Sequence, residues 1–523
     1  MGIVVSEVDK RRIVPRWRSL EVAQVTGELS ILGKASTPLP FHSKTFIDEQ
    51  IKAWTNNRDI RHAGDLLSAA YVLGLEDEFH DVARFLVDSE VDQNSAIRKV
   101  AGNIIHPKKN EIELFANEIT KVNDVLDHSK YHGEIARYRS YLKNEPRNPI
   151  AWIELGRLYS MVNLSLKGEK CVQRALSLNK DNRFIVRSAS RFYHHTFPLE
   201  DKALHVVKNS KFLKDDPWLI SAEIAYSTIL ERHSKLTKFG VDFVKLNNQD
   251  YFSTTELNSA LGTVELNDGS IRQAKKYFST SLIRPNDNSI AQASWIAKDV
   301  SGININLAKY NLPLAFEAEA QISFTEKKYV DAFNHAVNWL ADEPFSSRPI
   351  KFASSIASIY LDDPAKGMDL LRIGLNINPD DPHLNNNLIY YLAKDDQVDE
   401  ATHLFESKLR QHIDGDIEVN PYVVIATAGL LCFRRGLPEE GRKYYARAIE
   451  LIKQRPNKDY LLALANLNLI EEEIRYANSQ EDLTRLLQMA EAQAKKITDH
   501  DEINFFFKKV ANKINLAIKE EKI

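Results

Sequence analysis

One stretch constrains this chain more than any other: Asn148 to Asp181, reading NPIAWIELGRLYSMVNLSLKGEKCVQRALSLNKD. Trp152, Leu155, Gly156 and Tyr159 fall at helical spacing and make one stripe. Gly168, Val172 and Ala175 make a second, and a polar LNKD turn closes the unit. Either helix alone is short and marginal in water. Gly156 has no side chain, so a neighbouring helix can come close to its backbone. Trp152 and Tyr159 supply the surface around that contact, and Ala175 is its small partner. The pair still leaves an apolar face bare, which another pair stacked beside it would cover. The chain should therefore contain copies.

Copies follow. From Thr254, Leu261, Gly262, Ala274, Phe278 and Pro285 return near the same offsets. Later units carry Ala320, Ala332, Ala336, Trp339 and Pro344, then Ala353, Tyr360, Gly367, Leu371, Gly374 and Pro379. Two more are marked by Leu388, Ala401 and Phe405, and by Ala428, Gly429, Gly441, Tyr445 and Ala448. Residues 183–253 keep the helical period with a degraded signature. The first unit resembles a tetratricopeptide repeat (TPR), whose signature is W-x2-L-G-x2-Y on a first helix and spaced small and large apolar residues on a second. That resemblance implies an all-α fold, a TPR-like right-handed α-solenoid of antiparallel helix pairs.

The predicted organisation is an extended N-terminal arm (1–44), an N-terminal helical domain (45–147), a repeat array (148–475) and C-terminal capping helices (476–523). In 45–147, stripes such as Ile47, Ile51 and Trp54, or Leu66, Leu67 and Ala70, predict helices, with one over Leu114–Leu126 and a last one, carrying Tyr138, Tyr141 and Leu142, that ends at Pro146. Ser479 to Asp482 opens a helix like a capping box. The last helix starts near Asp501, with Ile503, Phe506, Val510 and Ile514 on one face and Lys508, Lys509, Lys513 and Lys519 on the other.

Composition narrows the function. Lys and Arg total 69 against 72 Asp and Glu, a formal net charge of −3, so no global basic field attracts nucleic acid. Two cysteines, Cys171 and Cys432, make no disulfide framework and suit a reducing, cytoplasmic setting. No apolar run approaches the ~18 residues of a membrane span. Met1-Gly2 to Ser6 fits an acylation pattern that six residues cannot establish. Phosphate loops, zinc-ligand spacings and nucleophile elbows are absent, so no catalytic, cofactor or metal residue is expected. His194 and His195 are adjacent and point about 100° apart on a helix, unsuited to chelating one ion. Glu471 to Glu473 reads as a solvated helix face.

Binding is the better expectation. The arm gathers Arg11, Arg12, Arg16 and Arg18 around Trp17, followed by a loose alternation over Leu20–Ile31 that suits a short strand. The arm is either a strap along the first helices or a docking arm that meets an acidic or phosphate surface. The TPR resemblance implies that the first helix of each pair lines a concave groove. On this chain the groove candidates are Ile153, Arg157 and Met161; Gln321 and Phe324; Phe352, Ile356 and Tyr360; Asn386, Tyr390 and Lys394; and Leu430, Phe433 and Arg434. The matched Lys and Asn positions of the TPR carboxylate clamp are missing, so the implied guest is a helix or extended segment of another protein. The arm also loosely resembles the start of TPR proteins of bacterial conflict and phage-defence operons, which implies an effector nuclease or ATPase as partner. A basic cluster of Arg434, Arg435, Arg442, Lys443 and Arg447 with Tyr444 and Tyr445 offers a lesser, nucleic-acid reading.

Overall fold

Helix ends in this chain are set by a repeated local device. The computed structural model describes residues 13–18, 44–73, 79–89, 96–105, 128–197, 199–246, 251–297, 300–303, 305, 307–310, 312, 314–413, 421–455, 458–497 and 501–520. Arg11, Arg12, the expected ribbon Leu20–Ile31 and the expected helix Leu114–Leu126 lie outside them. Among the described residues all regular structure is helical and there is no strand. Several helices begin with Asn or Asp at the N-cap and proline just inside, as at Asn148-Pro149, Asp216-Pro217, Asp363-Pro364 and Asp381-Pro382. The side-chain oxygen accepts orphan backbone N–H groups, and proline loses nothing there because its position needs no donor. The Asp-Asp pairs before Pro364 and Pro382 are thus caps, with Asp381 Oδ1 accepting from His383 N and Leu384 N at 2.9 Å.

First helices end in a left-handed residue two positions past the last helical one: Asn163, Glu231, Gly269, Lys327, Asp362, Asp396 and Gly436. The next N–H often reaches back five residues, as in Leu164 N to Tyr159 O at 2.8 Å and Leu437 N to Cys432 O at 2.9 Å. This is the Schellman closure, which satisfies orphan carbonyls and reverses the chain.

The described residues divide into two compact units, one before Ser347 and one from Ser347 onward. In the N-terminal unit, α1 (Lys44–Asn56), α2 (Ile60–Leu73), α3 (His80–Asp88) and α4 (Ala96–Ile105) pack around Trp54, Leu66, Leu67, Val82 and Leu86. After α5 (His128–Asn144) come the pairs: α6 (Pro149–Met161) with α7 (Ser165–Leu178), and α8 (Arg183–Thr196) with α9 (Glu200–Lys208). They continue with α10 (Pro217–Ile229) and α11 (Thr237–Leu246), then α12 (Thr255–Asn267) with α13 (Ile271–Ser281). The unit ends with α14 (Asp287–Ile296), the short α15 (Leu307–Tyr310), and α16 (Phe316–Thr325) paired with α17 (Tyr329–Asp342). The first helices α6, α8, α10, α12, α14 and α16 each touch the next, so they form one face in chain order.

In the C-terminal unit, α18 (Ser347–Ser355) runs into a π-helical turn, Ile356–Tyr360, and pairs with α19 (Pro364–Ile377). Next, α20 (Pro382–Lys394) pairs with α21 (Val398–Leu404), which runs into a second π-helical turn, Phe405–Leu409. Then α22 (Pro421–Arg434) pairs with α23 (Pro438–Lys453), and α24 (Lys458–Glu473) with α25 (Gln480–Lys496). The first helices α20, α22 and α24 touch in turn, and α26 (Asp501–Glu520) lies against α24, α25 and the π-helical turn of α18. Ser479 caps α25 by accepting from Asp482 N at 3.1 Å.

Glycine sets the closeness of the best-formed pairs. A Cβ on Gly156 would meet Val172 Cγ2 at 3.1 Å and Gly168 O at 3.2 Å, and one on Gly168 would meet Gly156 O at 3.0 Å. Gly429 and Gly441 repeat the arrangement at the same separation, and a Cβ on Gly441 would also run into the Phe433 ring. Cys171 sits in the α6–α7 contact, and burial pushes its thiol up to about 12.

Candidate protein-docking faces

In the N-terminal unit the first-helix face is charged and buried. Every residue of α8 from Arg183 to His194 is buried, on the faces turned away from α9 as well as towards it. Arg183 pairs with Asp216, the N-cap of α10. Arg187 donates to Glu256 Oε2 at 2.6 Å, with its guanidinium 4.8 Å from the Trp218 ring centre. Glu256 also accepts from Asn286 at 2.9 Å and Asn288 at 3.1 Å. Buried charges persist only when paired and hydrogen-bonded.

Residues 13–18 lie on this face. Trp17 is 0% exposed, its ring centre 5.5 Å from that of Phe192 and 5.6 Å from that of Phe345. His195 Nε2 lies 3.1 Å from Pro15 O. Arg16 Nη2 donates to Asp287 Oδ2 at 2.6 Å, and Arg18 Nη1 lies 2.5 Å from the same oxygen. Arg18 Nε donates to Asp342 Oδ2 at 2.9 Å, and its Nη2 to Leu314 O at 2.7 Å. Leu314 is itself left-handed at φ 58°, a strained backbone whose carbonyl these arginines need. Burial works against the Arg16 charge, but Asp287, Asp342, Glu317 and Glu343 outweigh it and hold the guanidinium firmly protonated. Burial likewise raises the Asp287 carboxyl, and Arg18 and Arg16 overcome it and lower it. The described part of the arm is therefore a strap: Arg16, Trp17 and Arg18, candidates for an outside partner, are taken up by the chain's own repeats.

In the C-terminal unit the occupant is α26. Phe505 meets Tyr360 at 5.2 Å between ring centres. Tyr460 donates to Glu502 Oε2 at 2.5 Å, and Lys513 pairs with Glu471. Lys394 Nζ lies 2.7 Å from Glu471 Oε2 and 2.6 Å from Glu472 Oε1, while Arg434 Nε lies 2.5 Å from Glu472 Oε2. Arg434 and Arg475 share Asp396, at 2.7 and 3.0 Å. Tyr390 donates to Asn468 at 2.8 Å, and Thr427 to Asn386 at 2.9 Å. Burial opposes ionisation of Glu471, but Lys394 and Lys513 prevail and hold it down at about 2. The solvated-face reading of Glu471 to Glu473 is corrected here: Glu472 is 0% exposed, Glu471 is buried and Glu473 pairs with Arg442. These acids sit one and two repeats after Arg434 and Lys394, a pairing that spacing on the first helices would have suggested.

The remaining groove candidates divide by burial. Ile153, Phe352 and Phe433 are buried between helices. Arg157 pairs with Glu154 at 3.3 Å, and Phe324 is half-buried with its ring centre 5.8 Å from that of Tyr329. Tyr360, Tyr390 and Lys394 border a cavity beneath α26 or meet α26 itself. The basic cluster is largely spent on acids: Arg434 on Glu472 and Asp396, Arg442 on Glu473 and Glu439, Lys443 on Glu440. No group of His, Cys, Asp and Glu among the described residues is placed to hold a metal, and no described helix is long and apolar enough to cross a membrane.

Helix pairs closed by Schellman turns, small residues at the pair contact and first helices touching in series define an all-α helical-repeat fold, in keeping with the resemblance of the first unit to a tetratricopeptide repeat. No protein-family model matches the chain, and no curated protein is significantly similar to it. Solved structures to which the chain is similar include yeast Tom70, at 14% identity over 79% of this chain and 97% of that one, TM-score 0.33. Another is the Cut9-Hcn1 hetero-tetramer of the APC/C, at 12% identity over 93% and 98%, TM-score 0.33. A third is Naa15/Naa10 bound to HypK-THB, at 11% identity over 96% and 89%, TM-score 0.26.

Proposed function

We propose that this chain is a non-catalytic scaffold that binds another protein through its first-helix faces. One observation carries the reading: each unit already holds a chain segment on that face, an extended strap in one and an amphipathic helix in the other. A surface that seats a segment of its own chain has the shape, apolar patches and placed charges to seat a partner's. Its rigid first helices need little reordering on binding, which favours affinity. The partner we put forward is a cytoplasmic effector, a nuclease or ATPase of a defence system, on the resemblance of the arm. The nucleic-acid alternative has less support, because the cluster that suggested it is internally paired.

Cross-link mapping of the chain purified with its partners tests the reading. Links to Lys351 and Lys394 on first helices, strengthened when Phe505→Ala and Lys513→Ala loosen α26, are expected. Links confined to Lys366 and Lys443 on second helices refute the face. Binding of RNA or DNA that falls steeply with salt would favour the alternative.

A further inference from the structure

We propose that the strap is locked by a proton: His195, at the end of α8, is a doubly protonated imidazolium while residues 13–18 are seated, and loss of that proton loosens them. This goes beyond the scaffold reading and does not depend on it. Both ring nitrogens of His195 face oxygen acceptors. Nε2 lies 3.1 Å from Pro15 O, on the strap, and Nδ1 lies 3.5 Å from Glu343 Oε1. A neutral imidazole has one N–H and one lone pair. With the N–H on Nε2, the lone pair stands against a carboxylate that is 0% exposed. With the N–H on Nδ1, the lone pair stands against Pro15 O, and the strap loses that hydrogen bond. Only the imidazolium serves both contacts. A proton placed on Glu343 and donated to Nδ1 is the same proton, shared across the pair.

Two helix ends favour the extra charge. His195 lies in the last turn of α8, where the macrodipole favours a cation. Glu343 is the C-cap residue of α17, where the macrodipole disfavours a carboxylate and a neighbouring cation offsets it. Trp339 Nε1 donates to Glu343 Oε2 at 2.8 Å, which fixes the carboxylate beside the ring. The His195 ring also borders Phe345, which packs on Trp17, so the imidazole is part of the seat that holds the strap.

The other ionisable groups gathered here, among the described residues, are Arg16 and Arg18 on the strap, Arg191 and His194 on α8, Glu200 on α9, Asp287 on α14, Glu317 on α16 and Asp342 on α17. The arginines oppose a charge on His195, as does His194, whose ring centre is 4.7 Å away and which has its own acid in Glu200 at 3.3 Å. The acids favour it, and at Arg16, which shares Glu343 with His195, they outweigh burial. A free imidazole releases its proton near pH 6.5, at about that value. Seating the strap raises the release point, so the lock is complete below about pH 6.5 and is lost as pH rises through the seated value.

Hydrogen exchange of the full chain tests this, read by mass spectrometry on peptides spanning residues 13–18 and corrected for the intrinsic rate at each pH. Arg16 N donates to Asn288 Oδ1 at 3.3 Å, so its exchange reports seating. Protection should fall about tenfold or more between about pH 6 and pH 8.5, the change that a one-unit rise in the release point gives. His195→Gln keeps an N–H for Pro15 O but cannot take up the proton, and should flatten the profile. Should that variant not fold, Glu343→Gln gives a second route, because loss of the carboxylate should also flatten it. A level wild-type profile, or a full slope that survives in folded His195→Gln or Glu343→Gln, overturns the proposal.

Discussion

In the N-terminal unit the first-helix face is held by an extended stretch, residues 13–18, whereas in the C-terminal unit it is held by a helix of 20 residues. An extended stretch offers few side chains, so each must go deep. Trp17 is wholly buried, and Arg16 and Arg18 converge on the buried Asp287. A helix spreads its hold over a long stripe and can leave its edges wet. Phe505 remains 39% exposed and the Lys513 side chain 46%. The first arrangement concentrates its stabilisation in a few groups that cannot be removed singly. The second distributes it, and suits a segment that lifts away when a competitor arrives.

The largest expected effect tests the concentrated side. Asp287→Ala strands the buried Arg16 guanidinium and takes from Arg18 one of its two carboxylates, and should cost about 3–5 kcal/mol. All six tryptophans, at 17, 54, 152, 218, 295 and 339, precede Ser347. Urea unfolding followed by tryptophan fluorescence therefore reports the N-terminal unit alone, and a loss under about 1 kcal/mol would show the strap to be dispensable.

The next concerns pH in the other unit. The folded Glu502 carboxyl is raised to about 7 from an ordinary 4.5, so the folded state binds the extra proton. Stability of α26 on its face should fall as pH rises from about 4.5 to about 7, by on the order of 3 kcal/mol, and then level. Glu471, held at about 2, works the other way: its contribution is present above its unfolded value and lost as pH falls towards 2. Hydrogen exchange of residues 501–520 across pH 5 to 8 reads this, and Glu502→Gln should flatten the slope.

Smaller again is Gly441→Ala, where the new methyl would run into the Phe433 ring and meet Gly429 O at 3.0 Å. Overpacking of about 1–3 kcal/mol is expected, read by thermal unfolding followed by circular dichroism. The smallest is Lys513→Ala. Its partner Glu471 keeps Lys394, so a loss of about 0–1 kcal/mol is expected by the same measurement. Should Lys513→Ala rival Asp287→Ala, the contrast between the two faces fails.

Helix pairing was legible because it rests on short-range rules: a glycine where two helices close, Asp before proline, small residues at a fixed offset; the small partner of Gly156 is Gly168, not the expected Ala175. Helix bounds follow from the same rules, as for the pair Phe316–Thr325 and Tyr329–Asp342. What covers the faces was not legible. Arg16 meets Asp287 across more than half the chain, and local pattern carries no trace of such a contact. Glu471 and Glu472 misled for a related reason. Three adjacent acids suggest solvent until the cations of earlier repeats are placed beside them. Lys394 and Arg434 were singled out as groove residues, and spacing could show that they share a face but not which acids claim them.

The left-handed residue after seven of the first helices has a practical consequence. Asn163, Lys327, Asp362 and Gly436 share one backbone state with unrelated side chains, so the chain's punctuation survives where its spelling has drifted. Cutting and rejoining at two such points removes a whole number of helix pairs and keeps the remainder in phase. The same positions thus mark where this protein can be shortened, lengthened or spliced with another of its architecture.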